Sequence, residues 1–277
     1  MLQKLILCAF VLLSLFATVL AASNPAHDAD RLMTAYQQNT PIPLVSEWVK
    51  GLDLKSAYAI QKSYVKKRLQ ADQLGGFKAG LTSKGAQQHF GVKTPLSGLL
   101  FLSGKNQPGT LIRRTGFRKM MIETEIAFIV SAAITRPLQS PAALREKIRS
   151  VAPAIELPDL GFADLKKLKG TDLVAANVGA AQYILGDAMP IGEINLDQIK
   201  TRLSLNGKII NTGNSSDALG DPWKAALWLV NHVLAQGWTL EPGQVLLTGA
   251  LGKMIPATPG NYSADYGPLG QISFEVR

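Results

Sequence analysis

Met121-Ile-Glu-Thr-Glu-Ile-Ala-Phe-Ile-Val130 alternates in character along its length. On a strand, successive side chains point to opposite faces, so Glu123, Glu125, Ala127 and Ile129 share one face and Ile122, Thr124, Ile126, Phe128 and Val130 the other. Two carboxylates therefore stand side by side. Like charges at that spacing repel, and a divalent cation, a shared proton or contact with water would each relieve them. A solvated edge strand is the plain alternative. Against it, the run is apolar on both faces, so the glutamates are expected to line a cavity.

Further along, Val151-Ala-Pro-Ala-Ile-Glu-Leu-Pro158 sets Glu156 in an apolar stretch, where an isolated charge is costly to bury. Three carboxylates without cysteine or clustered histidine form a hard oxygen donor set, which favours Mg²⁺ or Mn²⁺ over Zn²⁺. His27, His89 and His232 are scattered, which gives no support to a His-based zinc site or a Ser-His-Asp triad.

Other β-type runs lie at 180–184, 203–210, 244–248 and 271–276, with Asn206-Gly207 as a hairpin turn signal. One helix is well marked: Asp221 caps it, Pro222 opens it, and Ala225, Ala226, Leu229, Val230, Val233 and Leu234 form an apolar face that ends at Gly237. Between about Asp28 and Asp72 the apolar spacing is helical. Hairpins with a packed helix point to an α+β fold and not a doubly wound parallel sheet.

The chain has 277 residues, 47% apolar and 18% charged, enough for a full core, which excludes low-complexity disorder and disulfide-knit miniproteins. Its net charge of +9 decides little. Lys4 followed by the apolar run from Leu5 to Leu20 reads as a secretory signal cleaved near Ala21 or Ala22, and the run is short of the roughly 20 residues of a spanning helix. The expectation is an exported protein, periplasmic or secreted, with no stable membrane insertion after cleavage. Cys8 lies inside this leader, so the mature chain would have no thiol for disulfides, nucleophiles or metal.

Two glycine-punctuated segments are ambiguous. Gly76-Phe-Lys-Ala-Gly-Leu-Thr-Ser-Lys84 reads as a turn that could cradle an anion, or as a plain helix start in which Ser83 caps the next helix and Lys78 and Lys84 are solvated. Val245-Leu-Leu-Thr-Gly-Ala-Leu-Gly252 is a buried strand entering a turn whose N–H groups could approach a ligand, without phosphate-loop spacing. The basic pairs Arg113-Arg114 and Arg118-Lys119 and the run Lys166-Lys167-Leu168-Lys169 lack interleaved aromatics. They read as solvated faces, and no nucleic acid partner is expected.

Taken together, Ala57-Tyr58-Ala59-Ile60-Gln61, Lys78 to Ser83, Glu123-Thr-Glu125, Pro153-Ala-Ile-Glu156, Asp172 to Asn177, Leu219 to Pro222 and Leu247 to Gly252 resemble the fumarylacetoacetate hydrolase superfamily, in its 2-keto-4-pentenoate hydratase and 4-oxalocrotonate decarboxylase branch. The resemblance implies a curled mixed β-sheet (β-roll) core with a helical N-terminal lobe. With the signal peptide read above from composition set at 1–22, the resemblance divides the rest of the chain into a helical lobe and lid at 23–100 and a catalytic core at 101–277.

It also implies Mg²⁺ or Mn²⁺ on Glu123, Glu125 and Glu156, Lys78 as proton shuttle or carboxylate anchor, and Thr82, Ser83, Asn177, Thr248 and Gly249 at a small-molecule 2-oxo acid substrate. The implied reaction is hydration of a 2-hydroxydienoate to a 4-hydroxy-2-oxo acid, with decarboxylation, C–C hydrolysis or non-catalytic binding as alternatives, in a homo-oligomer. Leu96 and Ala176 stand where family hydratases usually carry aspartates, and Asp221 where they carry histidine.

Overall fold

In the computed structural model, which describes residues 24–277, the Met121–Val130 strand pairs antiparallel with Ile148–Leu157 in a register that sets Glu123 opposite Glu156 and Glu125 opposite Ala154. Opposite residues in an antiparallel pair share a face, so this register brings all three glutamates to one side. The signal peptide expected at 1–22 lies outside the described residues.

Around this pair the main sheet runs Leu96–Phe101, Leu74–Gly80, Val245–Leu247, Met121–Val130, Ile148–Leu157, Gln182–Leu185 and Lys105–Asn106, with two short strands completing nine. It is mixed: Leu74–Gly80 runs parallel to Val245–Leu247 and Lys105–Asn106 parallel to Gln182–Leu185, while the other pairings are antiparallel. The sheet curls strongly, as a half-barrel, in an α+β fold. A second sheet of five strands contains the Asn206-Gly207 hairpin, whose two turn residues have φ of 50° and 83°, the left-handed pair that such a tight turn needs.

Proline inside Ile148–Leu157 hides this strand from a sequence reading, because proline cannot donate to a ladder. Here Pro153 falls in a gap between partners: on that side Met189–Pro190 pairs with Ser150 and Val151, and Gln182–Leu185 takes over only at Ala154.

The Gly76 region is also a strand and not the glycine-punctuated turn the sequence suggests. At φ 152°, a Cβ on Gly76 would lie 2.0 Å from the Val245 carbonyl oxygen, so the glycine serves close strand-to-strand approach. The helix Pro222–Ala235 forms as expected, with the Asp221 carboxylate accepting from the N–H groups of Trp223 (2.7 Å) and Lys224 (3.2 Å). It lays its apolar face on the Leu74–Gly80 strand.

The expected helical lobe is shorter than 23–100. The helices Pro25–Gln37 and Leu54–Arg68 pack against each other, but the chain joins the main sheet from Leu74, and a boundary at 100/101 cuts the fully buried strand Leu96–Phe101. Among the described residues, no helix is long and apolar enough to cross a membrane.

Candidate metal centre and substrate cleft

Glu123, Glu125 and Glu156 each offer a carboxylate oxygen within 4.8 Å of the others, and Glu125 and Glu156 are fully buried. Gly249 donates its backbone N–H to Glu125 Oε2 at 2.7 Å. Lys78 brings its Nζ to 3.1 Å from Glu156 Oε2. Among the described residues, Oε1 of Glu125 and Oε1 of Glu156 have no hydrogen-bond partner. Buried polar atoms normally have one, and a buried unpaired charge is costlier still. The fully buried Tyr266 donates its hydroxyl to the carbonyl of Ala154, the residue opposite Glu125.

The electrostatics fit the same picture. Burial first, and then the Glu156 charge, push the Glu123 carboxyl up to about 8, against the opposing pull of Lys78. Burial, Glu156 and Glu123 likewise drive Glu125 well above the ordinary carboxylate range, although Lys78 and the Gly249 N–H oppose it. Burial alone would depress the Lys78 ammonium, but Glu156, Glu123 and Glu125 outweigh it and hold the group above its usual value. When ionised, three carboxylates against one ammonium leave two negative charges, the complement of one divalent cation. The oxygen-only donor set, its unpartnered atoms and that charge balance all fit a divalent metal.

Lys78 and Glu123 line a cleft of about 580 Å³. Thr82 and Ser83 also line it, with the Ser83 hydroxyl accepting from the Ala86 N–H at 3.2 Å as a helix cap. Gly249 sits beneath the cleft with φ 103°, and a Cβ there would lie 2.5 Å from the Thr82 side chain. The glycine turn thus brings an N–H to a carboxylate of the cluster itself.

Two residues expected at the substrate are engaged elsewhere. Asn177 is buried with its amide clamped on Leu99, Oδ1 accepting from the Leu99 N–H (2.8 Å) and Nδ2 donating to the Leu99 carbonyl (2.9 Å). The fully buried Thr248 donates its hydroxyl to the Ile126 carbonyl at 3.2 Å. Both side chains have their polar groups satisfied by backbone, outside the cleft lining. Leu96 is fully buried as well, and Ala176 lines a separate, smaller cleft.

Several residues of the site escape a sequence reading. Asp217 reaches the cleft from the turn after the Lys208–Asn214 strand, where its Oδ2 accepts the N–H groups of Asn214 and Gly252, both at 2.9 Å. Leu81 and Val178 line the cleft with left-handed backbones, φ 52° and 53°, a conformation that no local pattern announces for aliphatic residues. Arg118, expected on a solvated face, is instead mostly buried. It pairs with Asp159 at 2.9 Å and donates to the carbonyls of Ala35 and Thr40, tying the first helix to the sheet.

The sequence profile of the fumarylacetoacetate (FAA) hydrolase C-terminal family matches residues 79–267. The chain is 30% identical over 247 residues to the 2-keto-4-pentenoate hydratase of Burkholderia vietnamiensis, covering 88% of this chain and 94% of that protein. It is 32% identical over 252 residues to the 2-keto-4-pentenoate hydratase of Paraburkholderia phymatum, again covering 88% and 94%. Among solved structures, 4-oxalocrotonate decarboxylase from Pseudomonas putida G7, complexed with magnesium and adipate, has the same fold. Its TM-score is 0.86 at 23% identity, covering 93% of this chain and 100% of that one.

These relationships overturn the expectation of an exported, periplasmic or secreted protein. The relatives are 2-keto-4-pentenoate hydratases, whose similarity gives export no support, and the leader on which that expectation rests lies outside the described residues.

Proposed function

The chain belongs to the fumarylacetoacetate hydrolase family and is a carbon–oxygen lyase of the 2-keto-4-pentenoate hydratase type, and on that premise we propose that it is a divalent-metal-dependent enzyme adding water to a 2-hydroxydienoate. With 2-hydroxypenta-2,4-dienoate the product is 4-hydroxy-2-oxopentanoate. The observation that carries this reading is the cluster of three glutamates, two of them fully buried and carrying oxygens unpartnered among the described residues, set against Lys78 at the cleft wall.

Glu123, Glu125 and Glu156 would hold Mg²⁺ or Mn²⁺. Bound there, the cation supplies Lewis-acid stabilisation of the carboxylate and enolate oxygens of a 2-oxo acid. The rest falls to the chain's own residues. Gly249 fixes the Glu125 carboxylate through its N–H, so that ligand is oriented before substrate arrives. Lys78 carries a proton at Nζ inside the cleft and is placed to deliver it to, or recover it from, the conjugated chain as the dienol ketonises. Leu96 lies in the core and takes no part, so proton transfer rests on Lys78 and water.

The test is the ultraviolet absorbance decay of 2-hydroxypenta-2,4-dienoate with and without added Mg²⁺, corrected for spontaneous ketonisation and followed by product identification. Mg²⁺-dependent formation of 4-hydroxy-2-oxopentanoate is expected. No conversion by protein with bound metal would refute the proposal. Release of CO₂, or of two acids from a suitable substrate, would redirect it to decarboxylation or C–C hydrolysis on the same site.

A further inference from the structure

We infer that the cleft is built for a 2-oxo acid carrying an extended, uncharged hydrocarbon tail, in preference to a five-carbon acid or a dicarboxylate. The inference rests on the 2-oxo acid reading above and adds the chemistry of the far end of the substrate.

The first observation is size and lining. Lys78 and Glu123 mark the polar end, and a volume of about 580 Å³ is that of a pocket for a much larger ligand than a five-carbon acid. The remaining wall is largely aliphatic or aromatic: Leu81, Phe90, Leu160, Leu173, Val178 and Met254 all face the same space.

The second observation is charge. Beyond Lys78, which is held by Glu156, the charged lining residues among those described are Glu123, Asp217 and the exposed Lys253. A second carboxylate on the substrate would enter a lining that holds a further anion, Asp217, and whose remaining cation, Lys253, is exposed to solvent. Desolvating it within the cleft would go largely uncompensated.

The third observation is backbone strain. Leu81 and Val178 both occupy the left-handed region, where glycine or asparagine would sit without penalty and a β-branched residue is an outlier. Strain of this kind persists where the surroundings demand it and gathers at functional sites. Room is made for Val178 from across the cleft wall: a Cβ on Gly80 would lie 2.8 Å from Val178 Cγ1. The fold thus holds two aliphatic side chains in the cleft against local backbone preference.

The experiment is calorimetric titration of the full chain, loaded with Mg²⁺, with 2-oxobutanoate, 2-oxohexanoate, 2-oxooctanoate and 2-oxoadipate. Affinity is expected to rise about three- to fourfold per added methylene, the factor for burying that much apolar surface. The expected preference for 2-oxohexanoate over 2-oxoadipate is at least about tenfold.

Leu81→Asn keeps a residue tolerant of the left-handed backbone but makes the wall polar, and should weaken 2-oxooctanoate about tenfold with little effect on 2-oxobutanoate. Should that variant not fold, Met254→Ala is expected to act in the same direction. A flat series, tighter binding of 2-oxoadipate, or no binding by any member overturns the inference, as does a wall variant that weakens long and short acids alike. Binding needs no turnover. A graded series without hydration breaks the proposed reaction and leaves the tail preference standing, and hydration with a flat series does the reverse.

Discussion

Asp159 accepts hydrogen bonds from the backbone N–H groups of Arg118, Lys119 and Gly161 and pairs with the Arg118 guanidinium at 2.9 Å. Just before it in the chain, Glu156 ends in a carboxylate with one oxygen facing Lys78 and the other without a hydrogen-bond partner among the described residues, and on the neighbouring strand Glu125 has Gly249 on one oxygen and no such partner on the other. Both regions bury acid. At Asp159 the protein supplies every partner and gains a joint between its first helix and its sheet. At the glutamates it withholds partners, and that deficit is what a cation can fill. A buried charge that is fully satisfied is structure, and one left short of donors is a candidate for chemistry.

Four measurements would break or sharpen that contrast. The largest effect is expected from Glu125→Gln, which keeps the shape and an acceptor for Gly249 but removes a ligand charge. Metal uptake measured by calorimetry should be lost and hydration should fall about 10³-fold, the several kcal/mol that Lewis-acid stabilisation contributes, with the metal-free protein melting no lower than wild type at pH 8. Asp159→Ala should do the opposite. It leaves Arg118 buried without its partner, so denaturant unfolding should show a loss of about 3 kcal/mol while the folded fraction keeps its metal affinity. Equal loss of metal binding in both variants would erase the distinction.

The pH dependence of stability should separate the regions next. Glu123 is raised from 4.5 to about 8, so the folded protein holds that proton more tightly than the unfolded chain does. The stability it lends is complete below about pH 4.5 and is lost as pH rises through about 8. The melting temperature of the metal-free protein should therefore fall between pH 5 and pH 8.5, by on the order of a few kcal/mol in stability, and saturating Mg²⁺ should flatten the decline. A metal-free protein whose stability does not change over that range would place the glutamates with Asp159.

The smallest effect is expected from Gly249→Ala. The new Cβ would collide with Thr82 and strain a φ of 103°, displacing the N–H that holds Glu125. Metal affinity should weaken about 10- to 100-fold by the same titration, as for other residues that orient a ligand.

What the sequence made legible was local. Glu123 and Glu125 fall on one face by simple alternation, Ser83 and Asp221 cap the helices they announce, and Asn206-Gly207 turns the hairpin. What stayed hidden depends on contacts between distant segments. The register that brings Glu156 opposite Glu123 is set by pairing of two separate strands, one of them masked by Pro153. Gly76 looks like a turn residue because the feature that requires it, the Val245 backbone, lies far off in sequence. The Asn177 clamp on Leu99 and the left-handed Leu81 and Val178 are likewise dictated by tertiary surroundings and not by neighbours in the chain. Residue type identified Asn177 and Thr248 as polar, but only the packing shows where that polarity is satisfied.

The Gly249 N–H has a further use. Because it ends on Glu125 Oε2, its proton lies inside the field of the whole carboxylate cluster while belonging to a backbone that can be isotopically labelled without touching a side chain. Its nuclear magnetic resonance frequency should move when Glu125 gains a proton or a cation, and its exchange with solvent deuterium should slow when the carboxylate is locked in place. A single glycine amide thus serves as a native sensor of site occupancy, readable in the unmodified protein and in the absence of any substrate.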